Sequence, residues 1–162
     1  MEELYHVDGD DSVVGSVMKD DAHKRGVLHR AGMIFIIRRD GKILLTKRSP
    51  SKETFPNRYD CSCAFHVTFG ESYEEAAKRE LSEETGIRGI PKYMGKFSFF
   101  EPPENEIVAV FRCWSNEPLT IDREESTAAV FYSITDVDRI VESEEVTPWL
   151  REGWRLVRDH IL

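Results

Sequence analysis

Three carboxylates lie within five residues of one another in the stretch GESYEEAAKRELSEETGI, residues 70–87. They belong to Glu80, Glu83 and Glu84. Successive residues of an α-helix are rotated by about 100°, so on a helix these three side chains share one arc of about 100°. Like charges this close repel each other unless a cation lies between them. A divalent ion such as Mg²⁺ suits such a group, because it prefers carboxylate oxygens and often keeps coordination positions for water and phosphate oxygens.

The helix that carries these carboxylates has recognisable ends. Ser72 and Glu75 form a capping box at its start, and Gly86 supplies the left-handed residue at its end. The sequence therefore predicts one helix that begins at Tyr73 and ends at Thr85.

One face of this helix is expected to be buried. The positions that recur at helical spacing along it are Tyr73, Ala76, Ala77, Glu80, Leu81 and Glu84. Glu80 and Glu84 therefore lie on the face that packs against the protein, where a charged group needs a partner. Lys78 and Arg79 are too few to neutralise three carboxylates, which favours a bound metal over a solvated acidic helix.

Most of the elements around this helix are expected to be strands. Apolar segments bounded by turn residues predict strands at ELYHV, SVVGSV, AGMIFIIRR, KILLTKR, CSCAFHV, KYMGKFSFF, EIVAVFRCW and AAVFYS. Asp40-Gly41 is a favoured two-residue hairpin turn, and EPPEN is expected to be a loop. Further helices are expected at ITDVDRIV and from Thr147-Pro148 onward. The last helix has an apolar stripe that consists of Leu150, Trp154, Val157 and Ile161. Together these elements predict an α+β fold.

The composition excludes several function classes. With 162 residues, 40% of them apolar and 32% charged, the chain is expected to form one globular domain. No apolar run approaches the ~20 residues that span a bilayer, and the acidic N-terminus lacks the pattern of an export signal. We therefore expect a cytoplasmic protein without a membrane partner. The formal charge of −8 argues against nonspecific binding of nucleic acid. The three cysteines, Cys61, Cys63 and Cys113, are expected to be reduced and buried. The oligomeric state is open, with a homodimer as the usual alternative to a monomer.

The segment from Glu71 onward resembles the Nudix box, which is Glu, seven residues, Arg-Glu, an apolar residue, any residue, Glu-Glu, any residue, Gly and an apolar residue. The matching residues are Glu71, Arg79, Glu80, Leu81, Glu83, Glu84, Gly86 and Ile87. The chain is therefore similar to the Nudix hydrolase superfamily. One position differs, since Phe65 occupies the place of the glycine that opens the box.

The resemblance implies a Nudix fold, in which a mixed β-sheet is flanked by α-helices. It implies a single domain over residues 1–162, with a short N-terminal strand extension at 1–28 and the box region at 65–87. It also implies that Mg²⁺ or Mn²⁺ is the cofactor and that the substrate is a small-molecule diphosphate, cleaved by hydrolysis. In that comparison Glu80 and Glu84 are the metal ligands, and Glu83 is a further ligand or the base that activates water. The structural supports of the box are Glu71, Arg79 and Gly86.

Outside the box, the chain resembles the branch near type I isopentenyl diphosphate isomerase. The segments that carry this resemblance include DDAHKRGVLHRA, TKRSPSKETFPNRYD, ENEIVAVF and EVTPW. In those isomerases three histidines and two glutamates hold one metal, and the matching residues here are His23, His29, His66, Glu104 and Glu106. The cations that match their diphosphate ligands are Arg48, Lys52 and Lys19. Two alternatives remain open: His23 and His29 as supports of an N-terminal loop, and Arg48 and Lys52 as solvated loop cations.

Three positions differ from the isomerases. Ala64 occupies the place of their catalytic cysteine, and the adjacent Cys63 is expected to face the other side of its strand. Glu80 occupies the place of a phosphate-binding arginine, and Phe131 the place of the tryptophan that shields the carbocation. These differences favour a hydrolase over an isomerase. A Nudix-like module that binds a nucleotide without turnover is a third hypothesis. The substrate is open among nucleoside diphosphate derivatives, coenzyme A, dinucleotides and prenyl diphosphates.

Overall fold

The computed structural model describes residues 2–162, in which nine strands form one mixed sheet and four α-helices pack around it. The strands are β1 (Glu3–Val7), β2 (Val13–Met18), β3 (His29–Ile37), β4 (Ile43–Arg48), β5 (Tyr59–Asp60), β6 (Cys63–His66), β7 (Lys92–Glu101), β8 (Glu104–Trp114) and β9 (Ser126–Tyr132). The helices are α1 (Lys19–Arg25), α2 (Tyr73–Thr85), α3 (Ile134–Val141) and α4 (Pro148–Val157), and a 3₁₀ turn, Arg158–His160, follows α4. The predicted α+β class, with a mixed sheet flanked by helices, is confirmed.

Strand β3 lies at the centre of the sheet. It runs parallel to β8 from His29 opposite Glu106 to the end of both strands. It runs antiparallel to β6, where Ala31 lies opposite His66. Strands β1 and β4 each pair with β3 at a single position, His6 opposite His29 and Ile43 opposite Ile37. The start of β3, the start of β8 and the end of β6 therefore meet at one edge of the sheet.

Both faces of β3 are buried. Met33 and Phe35 pack into a cluster with α3 and α4, whereas Ile34 and Ile36 pack into a second cluster with α2. Because side chains alternate between the two faces of a strand, a strand covered on both sides carries a continuous apolar run. This explains the sequence MIFII and places α2 on the opposite side of the sheet from α3 and α4.

Helix α2 has the predicted bounds. The Ser72 hydroxyl accepts a hydrogen bond from the Glu75 amide at 3.0 Å, and the Glu75 carboxylate accepts one from the Ser72 amide at 3.1 Å. Gly86 ends the helix with a φ of 75°, in the left-handed region that glycine adopts without strain. The capping residues therefore fix both ends of the helix that carries the acidic cluster.

Helix α1 was not predicted. No side chain caps its start, and of its seven residues only Ala22 is buried. It therefore shows neither a capping signal nor an apolar stripe, the two features by which a helix is recognised in a sequence.

Two predicted connections between strands differ from the structure in their length or in the strand pairing beside them. The loop expected at EPPEN is a tight turn, because β7 and β8 remain paired as far as Glu101 opposite Glu104. The turn at Asp40-Gly41 is present, but β3 and β4 pair only at Ile37 opposite Ile43. Strand β4 then leaves β3 and pairs with β9 along its length.

The cysteines match the expectation. All three are free and buried. Cys63 belongs to the cluster beneath α2, whereas the next residue, Ala64, faces the opposite side and packs beside the α3–α4 cluster. Among the helices of residues 2–162, none has the length and apolar content needed to cross a membrane.

Phe65, which replaces the opening glycine of the box motif, lies in β6 opposite Gly32 of β3. A Cβ atom added to Gly32 would come within 2.3 Å of the Phe65 ring. We therefore predict that Gly32→Ala lowers the free energy of unfolding by about 1–3 kcal/mol, because the ring must leave its position. Urea unfolding measures this loss. A second change, Phe65→Leu, should recover part of the stability by removing the ring.

A matched control is Gly15→Ala in β2, where an added Cβ meets no atom within 4 Å. This variant should unfold near the wild-type urea concentration. Equal stability of the Gly32→Ala and Gly15→Ala variants would show that the Phe65 ring is not held against the glycine.

Candidate active site

A cavity of about 740 Å³ opens at the edge of the sheet where β3 and β8 begin. Its walls come from α1, α2, α4 and the connection between β4 and β5. The residues predicted from the sequence that line it are Lys19, His23, Arg48, Lys52, His66, Glu80, Glu84, Glu104 and Glu106. Segments far apart in the chain thus contribute to one site.

Five of the predicted residues form a histidine–glutamate cluster, which consists of His23, His29, His66, Glu104 and Glu106. Ligand atoms of its three histidines and Glu104 all lie within 4.8 Å of one another. The Glu106 carboxylate lies 3.1 Å from His66 Nε2 and 3.3 Å from His29 Nε2. These five side chains therefore lie together, and His29 and Glu106 meet because they are opposite residues of the parallel pair β3–β8.

Helix α1 carries His23 to this cluster. Gly26, with a φ of 65°, caps the C-terminal end of this helix. The Asn105 amide nitrogen donates a hydrogen bond to the Gly26 carbonyl at 2.9 Å. Asn105 lies between Glu104 and Glu106 in β8, so this bond joins the end of α1 to the strand that carries both carboxylates.

The histidine nitrogens of the cluster are arranged for a cation. His29 Nδ1 lies 2.8 Å from the Val27 carbonyl, which can only accept a hydrogen bond, so Nδ1 of the neutral ring carries the proton. Its Nε2 then presents a lone pair toward the Glu106 carboxylate. Within residues 2–162, the buried Nε2 atoms of His23 and His29 have no hydrogen-bond partner. Lone pairs and carboxylates that face one another without a shared proton fit a metal ion between them.

The pKa values of the cluster also indicate a site that favours a bound positive charge. Burial lowers the pKa of His66, but hydrogen bonds and charges of Glu104 and Glu106 outweigh it and raise the pKa to about 9. Burial raises the pKa of Glu106, but the adjacent His29 and His66 side chains outweigh it and hold the pKa well below the usual range. Burial lowers the pKa of His23. Without a metal, a proton on His66 therefore supplies the charge that the two carboxylates require.

The box helix presents a second acidic group. Glu80 and Glu84 line the cavity. Burial, followed by the nearby charge of Glu80, raises the pKa of Glu84 to about 9. A carboxylate with so high a pKa lies in surroundings that lack a cation, and two such oxygens beside a cavity are suitable ligands for a hard divalent ion.

Arg79 holds the box together. Its guanidinium donates to both oxygens of Glu71, at 2.7 and 3.1 Å, and to Glu80 at 2.8 Å. It also contacts Glu83, whose side chain is 60% exposed. Glu83 is not among the residues that line the cavity. The geometry therefore brings Glu80 and Glu84 to the site but leaves Glu83, predicted as ligand or base, on the outer side of the helix.

The three predicted cations line the cavity with anionic or carbonyl partners. The Lys52 ammonium pairs with the Glu125 carboxylate, and Lys19 Nζ lies 3.8 Å from Glu2 Oε2. Arg48 donates to the Asp60 carboxylate and to the Thr54 carbonyl. Arg48 and Lys52 are thus fixed at the rim of the cavity rather than free in solvent.

Two residues of the cavity were missed or misassigned from the sequence. Glu125, from the segment before β9, lines it together with Glu80 and Glu84, and no motif marks that residue. The aromatic residues that line the cavity are Phe65 and Trp149, whereas Phe131, which was assigned to the site from the sequence, does not line it. Phe131 packs beside the α2 cluster, with the Arg38 guanidinium 4.4 Å from its ring centre. The segment EVTPW, already noted for its resemblance, contains the tryptophan.

Residues 27–152 match the NUDIX domain family. Isopentenyl-diphosphate Delta-isomerase 1 of Photorhabdus laumondii is 33% identical over 164 residues, covering 95% of this chain and 93% of the relative. A prenyl-diphosphate phosphatase of Methanosarcina mazei is 34% identical over 157 residues, covering 93% and 91%. The solved structure of a Deinococcus radiodurans protein has a TM-score of 0.79 and 25% identity, covering 96% of this chain and 99% of that one. The resemblance inferred from the sequence is confirmed, and the chain belongs to the NUDIX domain family.

Proposed function

We propose that this protein is a metal-dependent hydrolase that cleaves a diphosphate linkage in a small molecule, with Mg²⁺ or Mn²⁺ as its cofactor. The observation that carries the proposal is the content of one cavity: two acidic ligand groups and the three predicted cations surround the same space. Phosphate oxygens require positive charge, and carboxylates beside them require a metal to neutralise the repulsion.

Two groups of residues would hold metal. The first is the histidine–glutamate cluster, supported by the unpartnered Nε2 atoms of His23 and His29. The second is the pair Glu80 and Glu84 on the box helix. When bound, a divalent metal neutralises phosphate charge and makes water a nucleophile at neutral pH.

The remaining side chains would bind and orient the substrate. Arg48, Lys52 and Lys19 supply N–H donors for the terminal phosphate oxygens. Because Lys52 is paired with Glu125, a diphosphate that binds Lys52 competes with this carboxylate. Lys19 lies before the segment that matches the family, and its position in the cavity supports treating residues 1–162 as one domain.

The organic group of the substrate would contact an apolar wall. Phe65, Val108 and Trp149 contribute apolar surface to the lining of the cavity. Such a wall suits a hydrocarbon chain, and the Methanosarcina mazei relative is named a prenyl-diphosphate phosphatase. We therefore infer that prenyl diphosphates are the first substrates to test, followed by nucleoside diphosphate derivatives.

An isomerase of the isopentenyl diphosphate type is the second candidate. The histidine–glutamate cluster and Trp149 beside the cavity favour it. Ala64 argues against it, because this residue lines the cavity but offers no thiol to move a proton. Cys63 is buried beneath α2, and burial raises the pKa of its thiol well above the usual range.

We predict that the purified protein releases phosphate from at least one short-chain prenyl diphosphate in the presence of Mg²⁺ or Mn²⁺, and that chelation abolishes the release. Conversion of isopentenyl to dimethylallyl diphosphate should be absent. A colorimetric phosphate assay and chromatography of the products measure both reactions. Tight binding of a nucleotide without any turnover would instead support a binding module. Clear isomerisation by the wild-type protein would show that an acid other than a thiol at position 64 can transfer the proton.

A further inference from the structure

Asp60 is a buried carboxylate that is not among the residues lining the 740 Å³ cavity described above. It lies in the short strand β5 and is 4% exposed. A carboxylate removed from water is costly unless several donors replace the water. Its Oδ1 accepts hydrogen bonds from the Cys61 amide and the Trp149 indole nitrogen, both at 2.8 Å, and from the Thr147 hydroxyl at 3.3 Å.

The other carboxylate oxygen of Asp60 accepts a hydrogen bond from Arg48 Nη1 at 3.2 Å. Arg48 ends β4, and Trp149 lies in the first turn of α4, so Asp60 joins two elements that are far apart in the chain. Both of these partners line the 740 Å³ cavity. The Arg48 guanidinium carbon lies 5.2 Å from the centre of a Trp149 ring. The Asp60 carboxylate, the Arg48 guanidinium and the Trp149 indole thus each contact the other two.

The bonds of Arg48 leave little freedom for its guanidinium. Nε donates to the Thr54 carbonyl at 3.1 Å, and Nη2 donates to the same carbonyl at 2.9 Å. Nη1 has two hydrogens, and Asp60 is its one hydrogen-bond acceptor within residues 2–162. Nη2 also donates to the Thr54 hydroxyl at 3.3 Å. The second hydrogen of Nη1 is therefore the one N–H of this guanidinium without an acceptor among residues 2–162, and the bond to Asp60 sets its direction.

We propose that Asp60 is a positioning residue of the substrate cavity, which holds the Arg48 guanidinium and the Trp149 indole in one fixed arrangement. The cation that faces a phosphate and the ring that faces the organic group are then set by the same buried carboxylate. The identity of the ligand as a diphosphate rests on the proposed function, whereas the arrangement of the three side chains does not.

Asp60→Asn tests this proposal, because an amide has one acceptor oxygen and turns N–H donors toward either Arg48 or Trp149. Titration with inorganic pyrophosphate and Mg²⁺ should show affinity reduced about tenfold relative to wild type. With the best substrate, KM should rise by a similar factor while kcat changes less than about threefold. The indole N–H resonance of Trp149, identified by its absence in Trp149→Phe, should shift.

The matched control is Thr147→Val, which removes another hydrogen-bond donor to Asp60 but no residue of the cavity. This variant also loses the cap of α4, so it should be less stable than wild type and yet bind pyrophosphate with unchanged affinity. A purely structural role for Asp60 predicts the same behaviour for Asp60→Asn.

The outcomes separate this proposal from the proposed function. If wild type binds pyrophosphate and Asp60→Asn binds it equally well, the positioning role is wrong. If wild type does not bind pyrophosphate, the proposed ligand is wrong, and the indole N–H resonance of Trp149 then tests the positioning role. An unchanged resonance in Asp60→Asn would overturn that role, and a shifted resonance would support it. Should Asp60→Asn fail to fold, Trp149→Phe replaces it, because it removes one donor and keeps a ring. An unchanged Arg48 Nε–H resonance in Trp149→Phe would contradict the coupling.

Discussion

Glu84→Gln is expected to reduce diphosphate hydrolysis by at least about 100-fold, since a metal ligand contributes several kcal/mol to stabilising the transition state. Glu84 lies on the inward face of α2, lines the cavity beside Glu80 and is largely removed from solvent. Glutamine has the same shape but no negative charge, so the fold should remain while the affinity for the divalent ion falls. Steady-state kinetics with the best substrate of the screen measure the loss.

The matched control is Glu74→Gln, which makes the same chemical change at an exposed position in the first turn of the same helix. It should retain wild-type kinetics. Thermal unfolding with and without Mn²⁺ gives a second measurement, because an ion that binds only the folded protein raises the melting temperature. That increase should be smaller in Glu84→Gln than in Glu74→Gln. Wild-type turnover by Glu84→Gln would exclude Glu84 as a ligand of the catalytic metal.

The pH dependence of the stability of the metal-free protein tests whether the Glu84 carboxyl has a raised pKa in the folded state. Because the folded state raises the pKa of Glu84 from 4.5 to about 9, its contribution to stability is fully present below pH 4.5 and is lost as the pH rises toward 9. Glutamine does not titrate. The free energy of unfolding of Glu84→Gln, relative to wild type, should therefore increase between pH 5 and pH 9.

The sequence contained enough local information to predict α2 and the identity of the box. Ser72, Glu75 and Gly86 determine where the helix begins and ends by contacts within a few residues. The inward position of Glu84 follows from helical spacing alone. Such features depend on near neighbours in the chain, which is why they could be predicted without any knowledge of the tertiary structure.

The histidine–glutamate cluster could be inferred only by resemblance. His29 and Glu106 meet because β3 and β8 are parallel neighbours in one register, and register between distant strands is not visible in a sequence. His23 arrives on α1, a helix with no capping signal. The sequence therefore contained the candidate ligands but not the geometry that brings them together.

Asp60 and Trp149 show a different limit. In the sequence, Asp60 lies between a turn and a strand that contains cysteines, a position typical of a loop residue. Its burial depends on hydrogen-bond donors from β4 and α4, which lie far from it along the chain. Phe131 was assigned as the aromatic residue of the site by resemblance alone, and Trp149 was not considered for that role. Alignment by resemblance weakens beyond the box, and only the packing of α4 on the sheet decides which ring reaches the cavity.

The apparent affinity of the histidine–glutamate cluster for Mn²⁺ is expected to rise about tenfold per pH unit between pH 6.5 and pH 9, because each bound ion displaces one proton from His66. A histidine with its usual pKa of ~6.5 would weaken metal binding as the pH falls through that value. In the structure Glu104 and Glu106 raise the pKa of His66 to about 9, which extends the proton competition to higher pH. Calorimetric titration with Mn²⁺ in buffers of different ionisation enthalpy measures both the affinity and the proton released.

Glu106→Gln should alter this profile in a defined direction. It removes a carboxylate 3.1 Å from His66 Nε2, so the pKa of His66 falls and the rise in affinity ends at a lower pH. It also removes one ligand, so affinity at pH 9 should drop by at least about tenfold. Glu84→Gln is the matched control, because it changes the box helix and leaves the cluster intact: one class of Mn²⁺ sites should keep the wild-type pH dependence. Equal Mn²⁺ affinity of the wild-type protein at pH 6.5 and pH 8.5 would mean that His66 is not a ligand, and the carboxylates of the box helix would then be the metal site that remains.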